Sequence, residues 1–154
     1  MALLPQRQVF ETVVDCSVSG VAERGGIMSY VPGVNGLCAY ANAAAVSGSL
    51  ALPAGLLLDD VEAENYFIHP EHRQRNVVPQ GSVVGLANEG EFWTDFVETA
   101  VGAVSVGTYA PGDLLYLADN GNVSRLNVLG IRKLIGRALS ALTSDGFLKV
   151  RVDI

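Results

Sequence analysis

The chain has 154 residues, of which 49% are hydrophobic and only 17% charged, and its formal net charge is −6. That is one domain's length with apolar content for a core of its own, which excludes a disordered polymer. An acidic chain neutralises few phosphates, so nucleic-acid binding is not expected.

Valine occurs 21 times and glycine 17 times, against 2 lysines, and long helical patterns are missing. This composition describes strands joined by turns. The expected fold is all-β: a compact β-sandwich or small β-barrel built from hairpins, with little helix. Residues 1–8, from Met1 to Gln8, read as a mobile arm, and residues 9–154 as a single β domain. Residues 9–14 predict a strand. Residues 27–31 and 37–41 predict a hairpin around Pro32-Gly33-Val34-Asn35-Gly36, and residues 42–46 a helical turn capped by Asn42. Residues 56–66 fit neither template cleanly. Residues 82–87 and 92–98 predict a paired unit around the turn Asn88-Glu89-Gly90, with residues 101–106 continuing the sheet.

Further on, residues 114–118 and 123–126 flank Asp119-Asn120-Gly121-Asn122. Asn-Gly is the strongest short hairpin signal, because a type I′ turn needs two residues at positive φ. Residues 133–142 then pair with the last strand, across a turn at Asp145-Gly146. That last strand alternates strictly. Leu148, Val150, Val152 and Ile154 point one way; Phe147, Lys149, Arg151 and Asp153 point the other.

Charge is unevenly spread. Nine of the sixteen acids lie between Asp59 and Glu98, and six of the ten bases from Arg125 onward. The two groups attract each other within a subunit or between subunits, or form two solvated faces. The N-terminus lacks the basic start and apolar run of a signal peptide. The apolar stretches near residues 50–58 and 97–106 are too short and broken to span a bilayer. The expectation is a soluble protein made in a cytoplasm, with Cys16 and Cys38 as reduced core residues.

Signatures of chemistry are weak. His69-Pro70-Glu71-His72 has ligand-type residues, but the zinc helix motif wants histidines four apart, and Pro70, Arg73 and Arg75 disfavour a cation. The acids of Asp59-Asp60-Val61-Glu62-Ala63-Glu64 lack the spacing of a calcium loop. Gly25-Gly26 and Gly33-Val34-Asn35-Gly36 read as turns, not phosphate cradles. Neither cysteine has a nucleophile's signature, and no Gly-x-Ser-x-Gly elbow occurs. No catalytic, cofactor or metal residue is assigned. Trp93 belongs to the core or to an interface.

The second half resembles the small capsid decoration, or cement, proteins of tailed bacteriophages. The phrases that carry the resemblance occur in order. Leu52-Pro53-Ala54-Gly55-Leu56-Leu57-Leu58-Asp59-Asp60-Val61 comes first, then Val78-Pro79-Gln80-Gly81-Ser82-Val83-Val84-Gly85-Leu86-Ala87 and the strand bearing Phe92-Trp93. Ala110-Pro111-Gly112-Asp113-Leu114-Leu115-Tyr116-Leu117 follows, with Gly121-Asn122-Val123. Last are Leu134-Ile135-Gly136-Arg137-Ala138-Leu139 and Asp145-Gly146-Phe147-Leu148-Lys149-Val150-Arg151-Val152. Order and spacing carry the resemblance, over roughly residues 50–154; residues 9–50 stand outside it, as a capsid- or neighbour-contacting elaboration.

The resemblance implies a homotrimer on the outside of a phage head, in the virion, whose partners are the major capsid protein and itself. It implies lattice stabilisation rather than catalysis, and no cofactor, nucleic acid or membrane. The alternative from another class is a virion-displayed β module that binds glycans or a host surface.

Overall fold

The computed structural model describes residues 3–5, 12–43, 52–63, 77–102 and 104–154. The architecture is nearly all β, as composition led us to expect. The strands are β1 (Leu3–Pro5), β2 (Thr12–Val18), β3 (Ile27–Tyr30), β4 (Leu37–Tyr40), β5 (Pro53–Leu57), β6 (Asp60–Glu62), β7 (Val77–Pro79) and β8 (Val83–Ala87). Then come β9 (Glu89–Thr94), β10 (Ala100–Val101), β11 (Val104–Ser105), β12 (Leu114–Leu117), β13 (Val123–Ser124), β14 (Leu134–Ala138) and β15 (Leu148–Asp153).

The first half builds a closed barrel in the order β2-β4-β3-β5-β8. A closed ring with an odd number of strands cannot be antiparallel throughout. The β2–β4 pair is the parallel one, and the other four pairs are antiparallel. The expected β3–β4 hairpin is present. Most of the helical turn proposed at residues 42–46 lies outside the described residues.

Cys16 and Cys38 are fully buried and joined as a disulfide, with Cα atoms 5.8 Å apart. This corrects the expectation of reduced thiols. Spacing along the chain cannot reveal the pairing, because β2 and β4 become neighbours only when the barrel closes.

The second half builds a six-stranded antiparallel sheet in the order β1-β9-β15-β14-β12-β13. β1 lies along β9, so part of the expected N-terminal arm is a paired strand. Residues 82–98 do not form a hairpin. β8 pairs with β2 and β5 in the barrel, whereas β9 pairs with β1 and β15 in the sheet. Asn88 is therefore where the chain crosses between the two sheets. β10 and β11 form a separate two-stranded ribbon rather than a continuation of the sheet.

The turn after β12 adopts the expected geometry: Asn120 has φ 56° and ψ 37°, and Gly121 has φ 75°. Its return strand is short, two residues rather than four.

One core joins the two halves. Ile27, Leu56 and Ala87 of the barrel pack with Phe92, Leu115, Leu117, Ile135, Leu148, Val150 and Val152 of the sheet. Thr94, buried in β9, donates a hydrogen bond to the Gly25 carbonyl (3.0 Å), and Gly121 N–H donates to the Ala41 carbonyl (2.8 Å). A second cluster, with Cys16, Met28, Cys38, Leu57, Val84 and Leu86, fills the barrel and reaches Val61 of β6.

Candidate interaction surfaces

Three surfaces follow from this arrangement: the outward face of the six-stranded sheet, a charged cleft beside β6, and an uncharged stripe that crosses the barrel strands.

On the sheet, the register sets Leu114 opposite Arg137, Arg137 opposite Arg151, and Arg151 opposite Glu91. The acidic middle and the basic end of the chain thus meet within one subunit. Lys149 Nζ lies 3.3 Å from Glu91 Oε2, and Arg151 lies 3.9 Å from Glu89. Such exposed pairs contribute about 0–1 kcal/mol each. Arg132 and Glu98 are different. They are nearly buried and bidentate, at 2.5 and 3.1 Å, and Arg132 Nη1 also donates to the Leu126 carbonyl. Removing one partner of such a pair strands the other in a low-dielectric site.

Arg137 is exposed and makes no ion pair among the described residues. It borders a shallow cleft of about 250 Å³, with Leu134, Gly136, Arg151 and Asp153. Gly136 makes this close strand approach possible: at φ 155°, an added Cβ would collide with the Arg151 carbonyl. Exposed Leu134 and Ile131 extend the apolar margin. Trp93 sits on this outward face, half-buried opposite Lys149, while its neighbours Phe92 and Thr94 fill the core side.

The acids after β5 are engaged locally. Asp59 Oδ2 accepts from Gly85 N–H (2.9 Å), and Asp60 accepts from Arg24 N–H (2.9 Å) and lies 3.5 Å from Arg24 Nε. Asp60 borders an open cleft of about 360 Å³ with Val21, Glu23 and Glu62. Among the described residues no three metal-ligating side chains come together. His69, Glu71 and His72 lie outside the described residues.

An uncharged stripe crosses the barrel strands in register, from Val83 of β8 through Ser17 of β2 and Leu37 of β4 to Val31 just after β3. On and beside it, Tyr30, Val34, Leu52 and Val83 are 43–63% exposed. Backbone bonds tie the stripe together: Ser17 N–H to the Gly36 carbonyl (2.7 Å), Val31 N–H to the Leu37 carbonyl (2.8 Å), and Gly81 N–H to the Val18 carbonyl (2.8 Å). Glu62 flanks it, its carbonyl accepting from Gln80 N–H. Sequence reasoning did not isolate this surface, although a signal exists: residues 25–58 contain no Asp, Glu, Lys, Arg or His.

No protein-family model matches the chain, and no curated protein matches it.

Proposed function

We propose that this protein is a structural virion component that binds the outside of a tailed-phage head as a trimer and stabilises the lattice of the major capsid protein. The observation that carries this reading is where the resembling phrases fall. Those from Phe92 onward are not scattered: they supply β9, β12, β14 and β15, which are successive or near neighbours in one sheet. The earlier two supply β5 to β8, the strands that lead into that sheet. The later part of the resemblance thus falls on four successive strands of one sheet, and its earlier part on the barrel and the β6–β7 ribbon. Attachment as a trimer would let modest contacts act together, since each later contact forms at high effective concentration.

The test is direct. Purified protein added to expanded or DNA-filled heads that lack a decoration layer should bind saturably and raise their resistance to heat and chelator. Full occupancy without any gain in head stability would remove the proposal. Individual, separated monomers in a well-resolved capsid map would remove its trimer. Retention on a glycan array without effect on heads would transfer the reading to the alternative, a displayed binding module.

A further inference from the structure

We propose that Asn35 is a site of spontaneous deamidation, and that the fold directs this modification to Asn35 while shielding the same dipeptide at Asn120. The chain contains two Asn-Gly steps, Asn35-Gly36 and Asn120-Gly121. Deamidation is least hindered before glycine, because no side chain obstructs the attacking backbone nitrogen.

The reaction uses the chain's own atoms and water. The Gly36 amide loses its proton to a solvent base, and its nitrogen attacks Cγ of Asn35. A C–N bond forms, the Cγ–Nδ2 bond breaks, and the leaving nitrogen takes up a proton and departs as ammonia. Water then opens the cyclic imide at either of its two carbonyls. One opening leaves an aspartate in a normal main chain. The other leaves an isoaspartate, whose main chain runs through the former side-chain carbon.

The loop after β3 meets these requirements. Asn35 and Gly36 are both exposed. Among the described residues, neither the Asn35 side chain nor the Gly36 N–H makes a hydrogen bond. The amide is therefore open to base, and the asparagine side chain is free to turn towards it. The second Asn-Gly step differs on each count. Gly121 is buried, and its N–H donates to the Ala41 carbonyl at 2.8 Å. A Cβ at Gly121 would come within 2.7 Å of the Tyr40 ring and 2.9 Å of the Ile27 carbonyl, so the backbone there has no room to remodel. Burial also disfavours the amide anion that must attack. Reaction at Asn120 has to wait for local opening.

Conversion at Asn35 reaches the barrel. Residues 25–58 contain no Asp, Glu, Lys, Arg or His, so it sets a carboxylate beside the uncharged stripe. The Gly36 carbonyl accepts from both the N–H (2.7 Å) and the Oγ (3.1 Å) of Ser17. These bonds flank the parallel β2–β4 pair, where only two residue pairs are in register. Isoaspartate lengthens the main chain by one bond just before Gly36 and shifts that carbonyl from its donors. Ageing at Asn35 thus loosens the β2–β4 junction.

The experiment is incubation of the purified full chain in warm, mildly alkaline buffer, followed by peptide mapping by mass spectrometry. Conversion at Asn35 is expected to outpace that at Asn120 at least about tenfold, because the second site reacts only when locally open. In urea that unfolds the chain, the two sites should convert at similar rates. The aged wild type should lose about 3 °C of thermal midpoint through the weakened Ser17 contacts. Asn35→Gln, which would have to close a larger ring, should age without that loss. Asn35→Asp carries the charge on a normal main chain and should keep the midpoint of fresh wild type.

Equal rates at the two sites in the folded protein would overturn the inference. So would faster conversion at Asn120, or an Asn35 that stays intact while the unfolded chain converts. Full conversion at Asn35 with an unchanged midpoint, or an equal loss in aged Asn35→Gln, would overturn the loosening of the junction. None of these readouts involves a phage head, so failure of the capsid reading leaves them untouched.

Discussion

Tyr109 shows what burial does to one polar atom. Its ring belongs to the core shared by barrel and sheet, and its hydroxyl donates to the Glu98 carbonyl at 2.6 Å, with the Val123 carbonyl at 3.4 Å. Burial pushes its phenol from the ordinary 10.0 up to about 12, against the opposing pull of hydrogen bonds at Arg125 and Ser124. A raised folded-state value means the neutral phenol is favoured by folding. That stability is fully present below pH 10 and is lost as pH rises from 10 towards 12. Tyr109→Phe should cost about 1 kcal/mol at neutral pH through the lost hydrogen bond. It should also soften the decline in stability between pH 10 and 12. Urea titrations of both proteins across that range check this, and identical slopes would assign the alkaline loss to other groups.

At the level of the element, β15 carries the clearest test of register. Leu148, Val150 and Val152 are buried, while Arg151 and Asp153 are exposed and Lys149 is half-exposed. Val150 faces Phe92 across one ladder and Ala138 across the other, so it lies between two strands with no route to water. Val150→Asp would bury an unpaired carboxylate at a cost of several kcal/mol, comparable with a domain's whole stability of about 5–15 kcal/mol. It should prevent folding. Lys149→Ser removes only a partly exposed ion pair with Glu91 and should leave the fold intact. Equal effects of the two on soluble yield and thermal midpoint would contradict the register.

For the molecule as a whole, the shared core and the disulfide set how it unfolds. Ile27, Leu56 and Ala87 belong to the barrel yet pack into the sheet's cluster, so neither half can open without exposing the other. Heat should therefore unfold the chain in one transition. The Cys16–Cys38 bond closes the parallel β2–β4 junction, where only two residue pairs are in register. Cross-linking residues separated by 22 positions stabilises by about 3 kcal/mol in the chain-entropy account. Cys16→Ala with Cys38→Ala should lower the thermal midpoint by roughly 10 °C while keeping a single transition. An unchanged midpoint would mean the junction is held by its ladder and packing alone.

Local physics was legible in the residues themselves. The alternation of β15 follows from the two-residue period of a strand, and Asn120-Gly121 adopts positive φ because those residue types tolerate it. The all-β class followed from valine, glycine and the lack of helical periodicity. What a strand pairs with is not a local property, and there the chain alone misled. Asn88 read as a hairpin turn, because a turn residue between two strands looks the same whether the second strand folds back or leaves for another sheet. The disulfide was hidden because β2 and β4 meet only through barrel closure. Trp93 could not be assigned, since the side of β9 that faces the core depends on β15. The pairing of the acidic middle with the basic end was visible as an attraction, but the β9–β15 register brought Lys149 to Glu91 within one subunit. The uncharged stripe across the barrel was the least legible, because its residues come from strands far apart in the chain that fall into register only when the ring closes.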